Sequence, residues 1–97
     1  MDIGELAAEH FEALVGGRLV IETAQEAIEC ELQEVVRLRP HALRAAPPFA
    51  LILRGPAERP LGQGIYGLQH PTLGRFELLM VPVARDAAGY RYEITFN

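Results

Sequence analysis

The sequence predicts an α+β domain, mostly β, in which an N-terminal helix precedes about six antiparallel strands that form a small barrel or a two-layer sandwich. Three observations lead there. The last eight residues, Tyr90 to Asn97, alternate apolar and polar side chains without an error, the period of a half-buried strand. After Gly17 the chain breaks into short apolar runs bounded by glycine, proline and aspartate, with connections too brief for parallel crossovers. Helical spacing is confined to the residues before Gly16.

Asp2 fits an N-cap, and Glu5 three residues on completes a capping box. Ile3, Leu6, Ala7, His10, Phe11 and Leu14 follow at helical spacing, so this helix is expected to lay an apolar stripe over a sheet. Gly16 and Gly17 end it. Arg18 to Thr23 is a first strand with Leu19 and Ile21 inward, and residues 24–27 are a tight turn. The second strand runs from Ile28 to Leu38, with Ile28, Cys30 and Leu32 on the inner face. Its alternation slips between Glu34 and Val36, where a β-bulge is expected, with Glu34 turned inward and Val36 and Leu38 in phase.

Residues 39–48 hold three prolines and read as a loop. Phe49 to Arg54 is almost wholly apolar and so a central third strand. Residues 55–64 form a second long loop, Ile65 to His70 a fourth strand, and His70 to Gly74 a compact turn. Arg75 to Ala84 is the fifth strand. Pro82 cannot donate to a ladder, so the end of that strand belongs at an edge or a bulge. Asp86 and Gly89 suit a hairpin into the final strand, where Tyr90, Tyr92, Ile94 and Phe96 face inward.

At 97 residues the chain is expected to be one domain, residues 1–97, with a single core. No apolar run approaches the ~20 residues of a membrane span. The acidic opening Met1-Asp2-Ile3-Gly4-Glu5 lacks the layout of a secretory signal, which makes the cytoplasm the expected location. Residues 1–34 carry nine acids against Arg18 alone, whereas residues 35–97 carry eight arginines and four acids, and lysine is absent. Neighbouring strands can pair these charges. The net charge of −4 argues against a dedicated nucleic-acid binder.

Few constellations carry chemistry. Cys30 is the single cysteine and sits on an inward face, which excludes an internal disulfide and a multi-thiolate zinc site. His10, His41 and His70 share no metal-ligand spacing, and no metal or cofactor is expected. Serine is absent, so no serine nucleophile exists. Gly62-Gln63-Gly64 lacks the lysine and the following helix of a phosphate loop. Arg37, Arg39, His41 and Arg44 make the densest basic patch.

The run from Pro48 to Pro56, the run from Leu61 to Gly74, residues 76–83 and the last strand resemble a family of small uncharacterised bacterial domains. Phe11 to Gly16 fits the same pattern, and Tyr66 to Gly74, Tyr-x-Leu-x-His-Pro-x-Leu-Gly, is the most specific stretch. The resemblance implies a setting beside phage-tail-collar-like proteins, as an accessory to a phage-tail-like structure. It carries over no catalytic residue.

The function expected is therefore a non-catalytic interaction or assembly module that meets a protein partner or a second copy of itself. Its contacts would come from exposed strand edges and the two long loops, through Arg39, His41, Arg44, Arg59 and Gln63. One alternative is a ligand-binding barrel lined inside by Phe49, Tyr66, Phe76, Tyr90 and Tyr92. Another is an enzyme using Cys30 or a histidine, which would need two such side chains within hydrogen-bond reach.

Overall fold

The computed structural model describes residues 2–39 and 46–97. Six strands among them are β1 (Arg18–Glu22), β2 (Ala27–Arg37), β3 (Phe49–Gly55), β4 (Gly64–His70), β5 (Gly74–Asp86) and β6 (Gly89–Phe96). They close into an antiparallel barrel in the order β1-β2-β3-β6-β5-β4, with β4 returning to β1. Of the two architectures that strand count allowed, the barrel is the one formed. Closure matters for function, because a closed sheet leaves no full-length edge for a partner strand. The expectation of binding through strand edges is corrected accordingly.

Exchanging β1 with β4, β2 with β5 and β3 with β6 returns the same strand order. The barrel is thus built of two three-stranded meanders with equivalent connectivity. The long middle strands β2 and β5 both carry a bulge, between Leu32 and Glu34 and between Pro82 and Ala84. The first lies slightly earlier than the sequence pattern places it. It reverses the phase, so Val35 packs against the core and Glu34 is exposed, the opposite of the expected orientation. The second falls where Pro82 removes a donor, as expected.

The helix is shorter than its spacing predicts. A 3-10 turn covers Ile3–Glu5, Leu6 is extended, and α1 spans only Glu9–Glu12. The Asp2 backbone N–H still donates to the Glu5 carboxylate at 3.1 Å. Breaking the helix at Leu6 lets Leu6, Ala8 and Phe11 all be buried, where a straight helix would commit one narrow stripe. Phe11 closes one end of the barrel, 5.8 Å from both Phe49 and Phe96, which stack on each other at 4.3 Å. Arg37 at the end of β2 donates to Glu9 and Glu12, each at 2.9 Å, and clamps the segment down.

The interior is filled by side chains. Leu19, Ile21, Cys30, Leu32, Leu51, Leu53, Leu68, Met80, Tyr92 and Ile94 form one core with Phe49, Phe76 and Phe96. Phe49, Phe76 and Tyr92, offered as the lining of a ligand chamber, are core residues, and Tyr66 and Tyr90 pack at its margin. The chamber that the ligand-binding alternative needs is occupied by the protein itself.

The turns follow their chemistry. Thr23 Oγ1 accepts from the Gln25 and Glu26 amides and so shapes the β1–β2 turn. In the β5–β6 hairpin Asp86 accepts from the Ala88 amide at 2.9 Å. Gly89 there has φ +140°, and a Cβ would collide with the Gly55 carbonyl, so only glycine fits.

Candidate functional site

Exposed surface was expected to carry function, and of the five residues named for it the three described ones do not gather at one place. Arg39 lies beyond the end of β2. Arg59, on the β3–β4 connection, pairs with Glu26, which precedes the start of β2. The whole length of β2 separates the two. Gln63 is exposed immediately before β4. His41 and Arg44 lie outside the described residues.

The two described histidines, His10 and His70, serve the fold. His70 is buried, with Nδ1 accepting from the Thr72 and Leu73 amides at 3.1 and 3.2 Å. Nε2 then carries the proton and donates to the His10 carbonyl at 2.6 Å. Both nitrogens are thus used in holding the β4–β5 turn to α1, with the Phe11 ring 5.2 Å away edge-on. His10 Nδ1 accepts from the Ala7 amide at 2.9 Å and caps the broken helix.

Cys30 is fully buried beside Gly55 and Tyr92, and burial pushes its thiol from 9.0 up to about 11. No hydrogen bond joins it to His10 or His70 among the described residues. Burial also raises the Tyr92 phenol, whose oxygen accepts from the Leu61 amide at 2.9 Å and seals the barrel end opposite Phe11. No group of three or more His, Cys, Asp or Glu side chains gathers for a metal among the described residues.

The surface that stands out is one wall of the barrel. Ile65, Leu79 and Val83, on β4 and β5, are 64%, 48% and 50% exposed, and Ile65 lies directly opposite Leu79. Val81, half-buried, continues the row. Ile65 also borders an open hollow of about 450 Å³ between the β1–β2 turn and the β3–β4 connection, with Tyr66, Leu61 and Glu26 on its walls. Arg59 and Gln63 flank this hollow in sequence, and the Arg59–Glu26 pair bridges its two loops. The wall and the hollow together make a continuous, partly apolar surface.

Residue-by-residue reading missed this wall, yet a signal was present. Leu78 to Val83 is apolar at every position, whereas a strand with one wet face should alternate. Leu78 and Met80 fill the core, which leaves Leu79 and Val81 on the outside with no polar substitute.

Opposite conditions hold below the wall. Glu22 on β1 accepts from Arg75 and Gln69, so its carboxyl is held below the ordinary 4.5, chiefly by the Arg75 bond. The Arg75 guanidinium lies flat where a Cβ on Gly67 would sit, 2.6 Å from that position. This is a saturated ion cluster, with Glu77 at 3.6 Å from Arg75 as its outer member.

Residues 6–96 match a protein family described as a domain of unknown function (DUF6916). No curated protein and no solved structure matches the chain.

Proposed function

The chain belongs to the DUF6916 family, and we propose that it is a non-catalytic interaction module that presents the β4–β5 wall and the adjoining hollow to a protein partner. The single observation that carries this reading is the apolar row Ile65, Leu79 and Val83 left outside an otherwise well-filled barrel. Monomer surfaces scatter such residues, and a contiguous row beside a concave feature marks docking. The engagement of both His70 ring nitrogens and the burial of the Cys30 thiol agree with it, since these groups are taken up in turn structure and packing. The finer setting we propose is bacterial and cytoplasmic, in an assembly of phage-tail-like character, on the strength of the resemblance carried by residues 66–74.

The test is affinity capture of the tagged chain from its host at native level, with cross-linking and mass spectrometry. Stoichiometric recovery of a structural protein, cross-linked at residues 56–65 or 77–83 and lost in a Leu79→Glu variant, is the expected result. Recovery unchanged by Leu79→Glu would refute the wall, and clean recovery of the chain alone would refute the module reading.

A further inference from the structure

The ladders that close the barrel are unequal. β1 and β4 share three residue pairs: Val20 with Gln69, Ile21 with Leu68, and Glu22 with Gly67. The other seam between the meanders, β3 with β6, has seven. The four ladders inside the meanders have five to seven each. The two halves are therefore joined by one long seam and one short one.

The short seam is also undercut at both ends. β1 stops at Glu22, so residues 64–66 of β4 pair with β5 alone, and the hollow of about 450 Å³ lies beside them. β4 turns away after His70, so Arg18 and Leu19 pair with β2 alone. A second hollow, of about 280 Å³, lies there, walled by Arg18, Leu19, Gln69, His70 and Pro71. Water thus reaches the three pairs from either side, and short ladders open at their ends first.

Side chains hold the seam by two means. On the inner face Ile21 and Leu68 are buried in the core. On the outer face the Glu22 carboxylate accepts from Gln69 across the seam and from Arg75 one strand further on. Gly67, opposite Glu22, has no side chain to add, and the Arg75 guanidinium reaches over it. Arg75 is 49% exposed and Glu22 28%, so solvent screens this pair and its hold is slight.

We propose that the native barrel opens at the β1–β4 seam, with the β3–β6 seam as its hinge and the Glu22–Arg75–Gln69 cluster as its latch. Both meanders stay intact in the open form. The facing edges of β1 and β4 become free, which supplies the strand edges that the closed ring withholds. Cys30 keeps its cover, since Gly55 and Tyr92, against which it packs, belong to β3 and β6.

Native-state hydrogen exchange, followed by NMR residue by residue at pH 7 without denaturant, tests this. The amides held across the seam, within residues 20–22 and 67–69, should exchange about 100-fold faster, relative to their intrinsic rates, than those of the β3–β6 ladder. Glu22→Gln should speed the seam amides about two- to fivefold further. A chain carrying Val20→Cys and Gln69→Cys, a directly opposed pair, provides the decisive sample. Oxidised, it should protect the seam amides as well as the β3–β6 amides, and reduction should release them again. Equal protection at both seams of the wild type, or fast seam exchange that the cross-link leaves unchanged, overturns the opening. Seam exchange untouched by Glu22→Gln overturns the latch. Leu79→Glu should leave seam exchange as it is, so the failure of the docking wall and the failure of the seam are read separately.

Discussion

Single side chains decide how this barrel is sealed. Phe11 is fully buried against Phe49, Phe96 and His70, so Phe11→Ala should cost about 3–4 kcal/mol, read as a lower urea midpoint with unchanged slope. The position of Phe11 on an inward face was legible from its helical spacing. Its role as a plug was not, because nothing local says that three aromatic rings from residues 11, 49 and 96 will meet. Cys30 tells the same story from the other side. Alternation alone placed it inward, and the raised pKa of about 11 follows from that burial. At pH 8 a thiol so placed is almost wholly protonated and sterically covered, so Ellman's reagent should find no thiol in the native protein and one equivalent in guanidinium. Rapid native labelling would show that the barrel wall at Gly55 opens.

At the scale of elements, strands were more legible than the helix because their signal is redundant. Each strand carries a period of two, turn residues at both ends and a length within the usual range, and the structure moves their ends by only one or two residues. The N-terminal segment has a helical pattern too, but its burial is set by the barrel mouth it must close, and tertiary packing overrides a weak propensity. The bulge in β2 was foreseen from a slip in alternation, and the phase before it was read correctly, yet the phase beyond it is the reverse of the expected one. A slip reveals that an extra residue exists and not which residue is extra. Cross-strand ion clusters were legible only as an excess of opposite charges. Glu22, Gln69 and Arg75 come from β1, β4 and β5, which meet only on closure. The Glu22 carboxyl is held below 4.5 in the folded barrel, so between its two pKa values the unfolded chain binds more protons. Its stabilising contribution is complete above the ordinary value and is lost as pH falls through the folded one. Thermal unfolding of Glu22→Gln should therefore lie below wild type near pH 7 and converge on it in acid, once the pH has fallen through the folded-state value. Parallel pH profiles would remove Glu22 from the account of acid stability.

At the scale of the molecule, the sequence left barrel and sandwich open because local patterning does not encode which strands meet at the seam. The pairings β1–β4 and β3–β6 join the two meanders, bringing Glu22 beside Gln69, 47 residues away, and no short-range signal specifies them. The equivalent connectivity of the halves was equally hidden. The halves share a path and share bulges, and they share little sequence. What the candidate surface needed was this global view, since Leu79 is an ordinary strand residue until closure puts it on the outside. The same seam has a consequence for the chain's covalent integrity. The two meanders are linked in this fold by the β3–β4 connection alone, and its residues 58–60 are exposed with no part in any strand. Cut there, the halves 1–58 and 59–97 would each be a sheet with two bare flanks and no opposing wall, poor at standing alone and shaped to recapture one another. Co-expressed as separate polypeptides, they should reconstitute the barrel's circular dichroism spectrum and cooperative melting, whereas either by itself should aggregate. The seam would then be a recognition surface in its own right, and the loop that spans it a tether that can be dispensed with.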